Sequence, residues 1–194
     1  DPTMANVYHY RGASRYYLQD YSGSIEDYSK AIQLNPNNSH SYTGRGTAKA
    51  ALKDFLGAIK DFDISIALAP TALCYGHRGN AKIIKRDYDG AVSDFSAALL
   101  LEPNNDFYIN NRGIAKNYVG DYSGAISDFS KAIDLNPNDA LTFANRGSAK
   151  MDIGDNTGAI VDLTRSVELN PQNTTAYTNR AVAKLAVIDI AGSI

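Results

Sequence analysis

The 194-residue chain has one cysteine, Cys74, and no tryptophan. A single thiol excludes an internal disulfide framework and any cysteine-rich zinc site. It favours a reducing cytoplasm only slightly and by itself assigns no compartment. Excess charge of one sign is also missing: 19 Lys and Arg stand against 21 Asp and Glu, a net charge of -2. That balance argues against nucleic acid as a partner, because nucleic acid selects a basic face. No run approaches the ~18 uncharged apolar residues of a membrane span. The opening Asp1-Pro2-Thr3-Met4 lacks the basic start and apolar core of a signal peptide. No linker-like or low-complexity tract divides the chain. The three histidines, His9, His40 and His77, are far apart in sequence and form no metal-ligand spacing such as HExxH. No phosphate-binding glycine loop is present. The reading is therefore of a non-enzymatic chain with no cofactor and no metal. Cys74 reads as a buried, inert thiol rather than a nucleophile.

What the sequence does contain is repetition. Arg11-Gly12, Arg45-Gly46, Arg78-Gly79, Arg112-Gly113 and Arg146-Gly147 recur at steps of 34, 33, 34 and 34 residues, and a further 34 reaches Arg180-Ala181. Pro36, Pro70, Pro103, Pro137 and Pro171 keep the same beat. The repeats run at about 5–38, 39–71, 72–105, 106–139 and 140–173, with a partial sixth over 174–194. Together they are expected to form one continuous array. Each repeat reads as two helices. Tyr8, Arg11, Gly12 and Arg15 share one helical face, and Tyr21, Ser24, Ile25, Tyr28, Ala31 and Ile32 share another. An aspartate recurs between the two helices, at Asp20, Asp54, Asp87, Asp121, Asp155 and Asp189, where it can cap the second helix. Asn35-Pro36 ends that helix.

A glycine inside a helix costs ~1 kcal/mol against alanine, so five of them imply a packing reason. Small residues recur opposite, at Ser24, Ala58, Ala91, Ala125 and Ala159. Rings fill the flanking space: Tyr8, Tyr42, Tyr75, Phe143 and Tyr177 on first helices, and Tyr28, Phe62, Phe95 and Phe129 on second helices. One helix pair cannot bury them, whereas a stack can.

These features resemble the tetratricopeptide repeat family over nearly the whole length. Residues Asp121 to Pro137 lie close to its second-helix pattern. The resemblance implies an all-α, right-handed superhelix in which first helices line a concave groove and second helices form the convex side. It also implies that the chain holds a protein or an extended peptide in that groove. The groove candidates are His9, Ala13, Tyr16 and Tyr17; Thr43, Thr47 and Ala50; Gly76, Asn80 and Ile83; Asn110, Ile114, Asn117 and Tyr118; Ala144, Ser148 and Met151; and Thr178 and Val182. This set is poor in charge and suits an extended segment held by amide hydrogen bonds and small apolar pockets. The two-carboxylate clamp of chaperone-binding members is absent. His9 and Ala13, then Thr43 and Thr47, stand where its lysine and asparagines are expected, and Asn80 is paired with Gly76.

The chain departs from the family at two places per repeat. Arginine precedes the glycine where leucine is usual. Arg15, Lys49, Lys82, Lys116, Lys150 and Lys184 replace the usual tyrosine. Sixteen residues after each arginine comes an acid: Asp27, Asp61, Asp94, Asp128 and Asp162. This spacing predicts a ladder of Arg–Asp pairs between the two helices of each repeat, structural rather than functional because the acid quenches the base. Arg180 is expected to lack such an acid. A turn is expected near Asp189, leaving Leu185, Val187, Ile190 and Ile194 uncovered. Self-association through this end, or membership of a larger enzyme, are the alternative readings of function.

Overall fold

In a computed structural model, residues 2–192 are described. They form eleven α-helices: α1 (Pro2–Tyr17), α2 (Tyr21–Leu34), α3 (Ser39–Ala51), α4 (Phe55–Leu68), α5 (Ala72–Ile84), α6 (Tyr88–Leu101), α7 (Asp106–Tyr118), α8 (Tyr122–Leu135), α9 (Ala140–Asp152), α10 (Asn156–Leu169) and α11 (Thr174–Gly192). There is no strand among the described residues. One compact unit extends to Glu102 and a second begins at Pro103.

Within each repeat the two helices run antiparallel. Arg11 near the middle of α1 reaches Asp27 on α2, while Arg15, one turn later, reaches back to the carbonyl of Gly23. The turn between them is built the same way five times. Gln19, Lys53, Arg86, Gly120 and Gly154 adopt φ of 63°, 65°, 63°, 86° and 81°. The following aspartate N–H then donates to the carbonyl five residues back, as Asp20 does to Arg15 at 2.9 Å and Asp121 to Lys116 at 3.0 Å. This is the left-handed helix stop in which two orphan carbonyls are satisfied. The same aspartates cap the next helix, accepting from the N–H groups of Gly23, Gly57, Gly90, Gly124 and Gly158.

The sixth repeat corrects the sequence expectation. No turn forms at Asp189, because α11 runs unbroken to Gly192. The position that turns left-handed elsewhere is Ile188 here. A β-branched side chain resists positive φ, so the helix continues. Leu185 is exposed and Val187 half-buried. The side chain of Ile190 and all of Ile194 lie outside the described residues.

The cores sit between the paired helices. Phe62, Phe95, Phe129 and Leu163 from second helices are essentially inaccessible, and the small residues Ser24, Ala58, Ala91, Ala125 and Ala159 are fully buried. The repeated glycines face these large side chains. A Cβ on Gly46, Gly79 or Gly113 would lie 2.7–2.9 Å from the ring of Phe62, Phe95 or Phe129, and one on Gly147 would lie 2.8 Å from Leu163. The glycine therefore makes room for the ring of its partner helix as well as for the backbone approach that the small residues suggest.

Candidate functional site

The predicted ladder is present in five repeats. Arg11, Arg45, Arg78, Arg112 and Arg146 each grip their aspartate through Nε and Nη2. Sequence reasoning did not find the second cation. Arg15, Lys49, Lys82, Lys116 and Lys150 bind the same carboxylates at 2.8–3.1 Å. Each buried carboxylate therefore holds two cations. The signal was available in the basic residue four positions after each arginine, which is one turn along the same face.

The arginines do two further things. Arg45, Arg78 and Arg146 donate a third hydrogen bond, from Nη1, to the preceding second helix at Ser29, Asp63 and Ser130. Their guanidinium planes, with those of Arg11 and Arg180, lie 5.2–5.7 Å from the ring three residues earlier, at Tyr8, Tyr42, Tyr75, Phe143 and Tyr177. Arg180 makes no ion pair among the described residues. The ladder thus uses the charge along the helix pairs internally. The hydrogen bond from Arg11 holds the Asp27 carboxyl below its ordinary value of 3.8, against the opposing effect of burial.

The N-terminal unit holds a cavity of about 640 Å³ along the first helices α1, α3 and α5. Six of the predicted residues line it: His9, Ala13, Tyr16, Tyr17, Thr43 and Thr47. The structure adds Tyr28, Ser39, His40, Gly44, Ser65, Ala69, Thr71, Leu73 and His77. Asn80 and Ile83 are half-buried on α5 and do not line this cavity. No Asp, Glu, Lys or Arg lines it. Gly44 is needed at its floor, because a Cβ there would lie 2.3 Å from the Tyr28 ring. Sequence separation set the histidines apart, yet all three meet at this cavity. His77 stacks on Phe62 at 5.8 Å, and His9 packs edge-on to Tyr28 at 5.4 Å. His9 Nδ1 pairs with Ser41 Oγ at 3.0 Å. Burial pushes the imidazoles of His9 and His77 below their ordinary 6.5, with nearby His40 adding to the effect on His9.

In the C-terminal unit the candidates divide. Asn110 Oδ1 accepts from Thr142 Oγ1 at 3.1 Å and Asn145 Nδ2 at 3.4 Å. Ile114 packs against Ala125, Phe129 and Ala149, and Met151 packs against the cluster around Leu163. Ser148 is half-buried. Asn117 Oδ1 is buried without a hydrogen-bond partner, an arrangement that costs free energy until a donor arrives. Cys74 is fully buried, with Sγ near Thr43 Oγ1 and the Phe62 carbonyl at 3.6 Å, and burial raises its pKa. No group of three His, Cys, Asp or Glu side chains among the described residues could hold a metal ion. No helix among them is long and apolar enough to cross a membrane.

Family models of the tetratricopeptide repeat match residues 5–38, 108–139 and 140–173, together just over half of the chain. No curated protein sequence matches the chain. Among solved structures it is similar to YrrB, described as a TPR protein with an unusual peptide-binding site. That likeness has a TM-score of 0.83 at 16% identity and covers 90% of each chain. It is also similar to MamA from Desulfovibrio magneticus RS-1, with a TM-score of 0.82 at 19% identity over 88% of this chain and 97% of that one. The first TPR of Spaghetti (RPAP3), bound to an HSP90 peptide, matches with a TM-score of 0.59 at 26% identity over 60% of this chain and 93% of that one. The YrrB and MamA likenesses establish the fold.

Proposed function

This chain belongs to the tetratricopeptide repeat family, and on that premise we propose that it is a non-catalytic scaffold holding an extended protein segment along its first helices. The observation that carries the proposal is the cavity on α1, α3 and α5. It is about 640 Å³ and free of charged side chains, and successive repeats build it from equivalent positions. Its size lies within the range of pockets that hold a ligand. The unpartnered Asn117 Oδ1 on α7 supports the same use of first helices in the C-terminal unit, because a peptide N–H is the donor it lacks. Two of the similar structures are peptide binders by their own descriptions. The lysine of a two-carboxylate clamp has no match here, and Asn80, although just after its glycine, is paired with Gly76 instead, so the recognised segment differs from one read by that clamp.

Capture from native lysate, compared with the Thr47→Arg/Asn117→Ala variant, tests the proposal. Specific capture that the double variant loses supports it, and capture that survives the variant overturns it. A second reading rests on α11, where Val182, Leu185 and Ile188 are half or more exposed. On that reading copies associate through this face. Light scattering at tens of micromolar that shows only monomer removes it.

A further inference from the structure

We propose that the cavity of the N-terminal unit receives an aromatic side chain from an uncharged segment and releases it on acidification, with His9 and His77 as the proton-sensitive rim. The proposal rests on the groove reading above and names the chemistry of the occupant.

The first argument is charge. The cavity is lined without a single Asp, Glu, Lys or Arg. The nearby buried acids are committed: Asp27, Asp61 and Asp94 each hold two cations of the ladder. An acidic occupant would meet no standing cation at neutral pH, and a basic one would meet no free anion. The second argument is hydrogen bonding. Thr43 Oγ1 is paired with Ser65 Oγ at 2.7 Å, Thr47 donates to the Thr43 carbonyl at 2.9 Å, and Thr71 caps Cys74 at 3.2 Å. These threonine hydroxyls are therefore engaged. Further lining side chains are rings, among them those of His9, Tyr16, Tyr17, Tyr28 and His77. Rings recognise rings through edge-to-face and offset contacts beyond simple area burial.

The third argument is protonation. The titratable groups facing His9 and His77 across the cavity are Tyr16 and Tyr17 of α1, Tyr28 of α2 and His40 of α3. From α4 and α5 come Ser65 and Leu73, and Phe62 packs behind His77. None of these supplies a carboxylate. A protonated His77 here would meet no anion and a protonated His9 only the Ser41 hydroxyl, and an apolar occupant would strip water from both at a cost. Burial already holds His9 and His77 in the neutral form near pH 7. An apolar occupant buries them further and lowers their proton affinity again. By linkage, binding is strongest where both imidazoles are neutral and weakens as pH falls through their lowered pKa values, below 6.5.

The experiment uses the full chain and two blocked tripeptide probes, Ac-Gly-Phe-Gly-NH2 and Ac-Gly-Glu-Gly-NH2, followed through the imidazole NMR signals. The phenylalanine probe is expected to shift His9 and His77 at pH 7.5 and to bind about tenfold more weakly at pH 5. At saturation it is expected to lower the titration midpoints of both imidazoles, a reading that needs no variant. His9→Gln/His77→Gln is expected to flatten the pH dependence. Should that variant unfold, the single His9→Gln, expected to reduce the dependence in part, takes its place. Tighter binding of the glutamate probe, raised midpoints, shifts confined to residues outside the cavity, or a pH dependence that survives histidine replacement would each overturn the proposal. If the probes fail while lysate capture still depends on Thr47 and Asn117, this inference falls and the groove reading stands.

Discussion

A buried aspartate with two cations is the residue on which each repeat turns. Asp61 is almost inaccessible, and it takes Nε and Nη2 of Arg45 and Nζ of Lys49. Removing the carboxylate leaves two cations facing each other, so Asp61→Asn is expected to cost about 2–3 kcal/mol, below the full buried-pair value because both cations keep some water. Urea unfolding measures it, and a loss under about 0.5 kcal/mol would contradict the role. Asp27 gives the pH sign. Its carboxyl titrates below 3.8 in the folded chain, so its stabilising contribution is complete above that value and is lost as pH falls below it. The repeated glycine is equally specific. A methyl on Gly113 would sit 2.7 Å from the Phe129 ring, so Gly113→Ala is expected to destabilise by about 1–3 kcal/mol despite alanine's better helix propensity. A stabilised Gly113→Ala protein in thermal unfolding would contradict the packing argument.

At the level of the helix, the turn explains both what the sequence made legible and what it hid. The aspartate caps were readable because the acid recurs at a fixed offset. The left-handed residue before each cap was less so, because Gln19, Lys53 and Arg86 hold it as well as Gly120 and Gly154. Non-glycine residues there carry local strain, and Lys53→Gly is expected to raise stability by about 0.5–1 kcal/mol in urea unfolding. No change or a loss would mean that the lysine stem compensates. Ile188 marks the other limit: the aspartate signal at Asp189 promised a turn, but a β-branched residue in the left-handed position prevents one, and α11 runs on. The ion-pair ladder was legible because both partners recur sixteen apart. The stacking of Arg11, Arg45, Arg78, Arg146 and Arg180 on the ring before each was not anticipated, although the two residues are on one face three positions apart.

For the molecule as a whole, periodicity carried the fold, because a 34-residue beat with alternating small and large positions leaves few other ways to bury so many rings. It carried the candidate site less far. First-helix positions placed His9, Tyr16, Thr43 and Thr47 on one cavity. They could not tell which equivalents would be drawn into packing, as Ile114 and Met151 are. His77 escaped notice because it lies one position away from the groove register, and only the three-dimensional stack brings it to His9 and His40. With the ladder's charges paired internally, the first-helix cavity is the surface on which the proposed binding depends. The most direct measurement is a chemical-shift map of the full chain with a peptide selected for binding from a random library. The expected shifts concentrate on His9, Thr43, Thr47 and His77, and they disappear with Thr47→Arg. Shifts concentrated on the exposed second-helix positions Lys60 and Ser93, unchanged by Thr47→Arg, would contradict a working surface on the first helices.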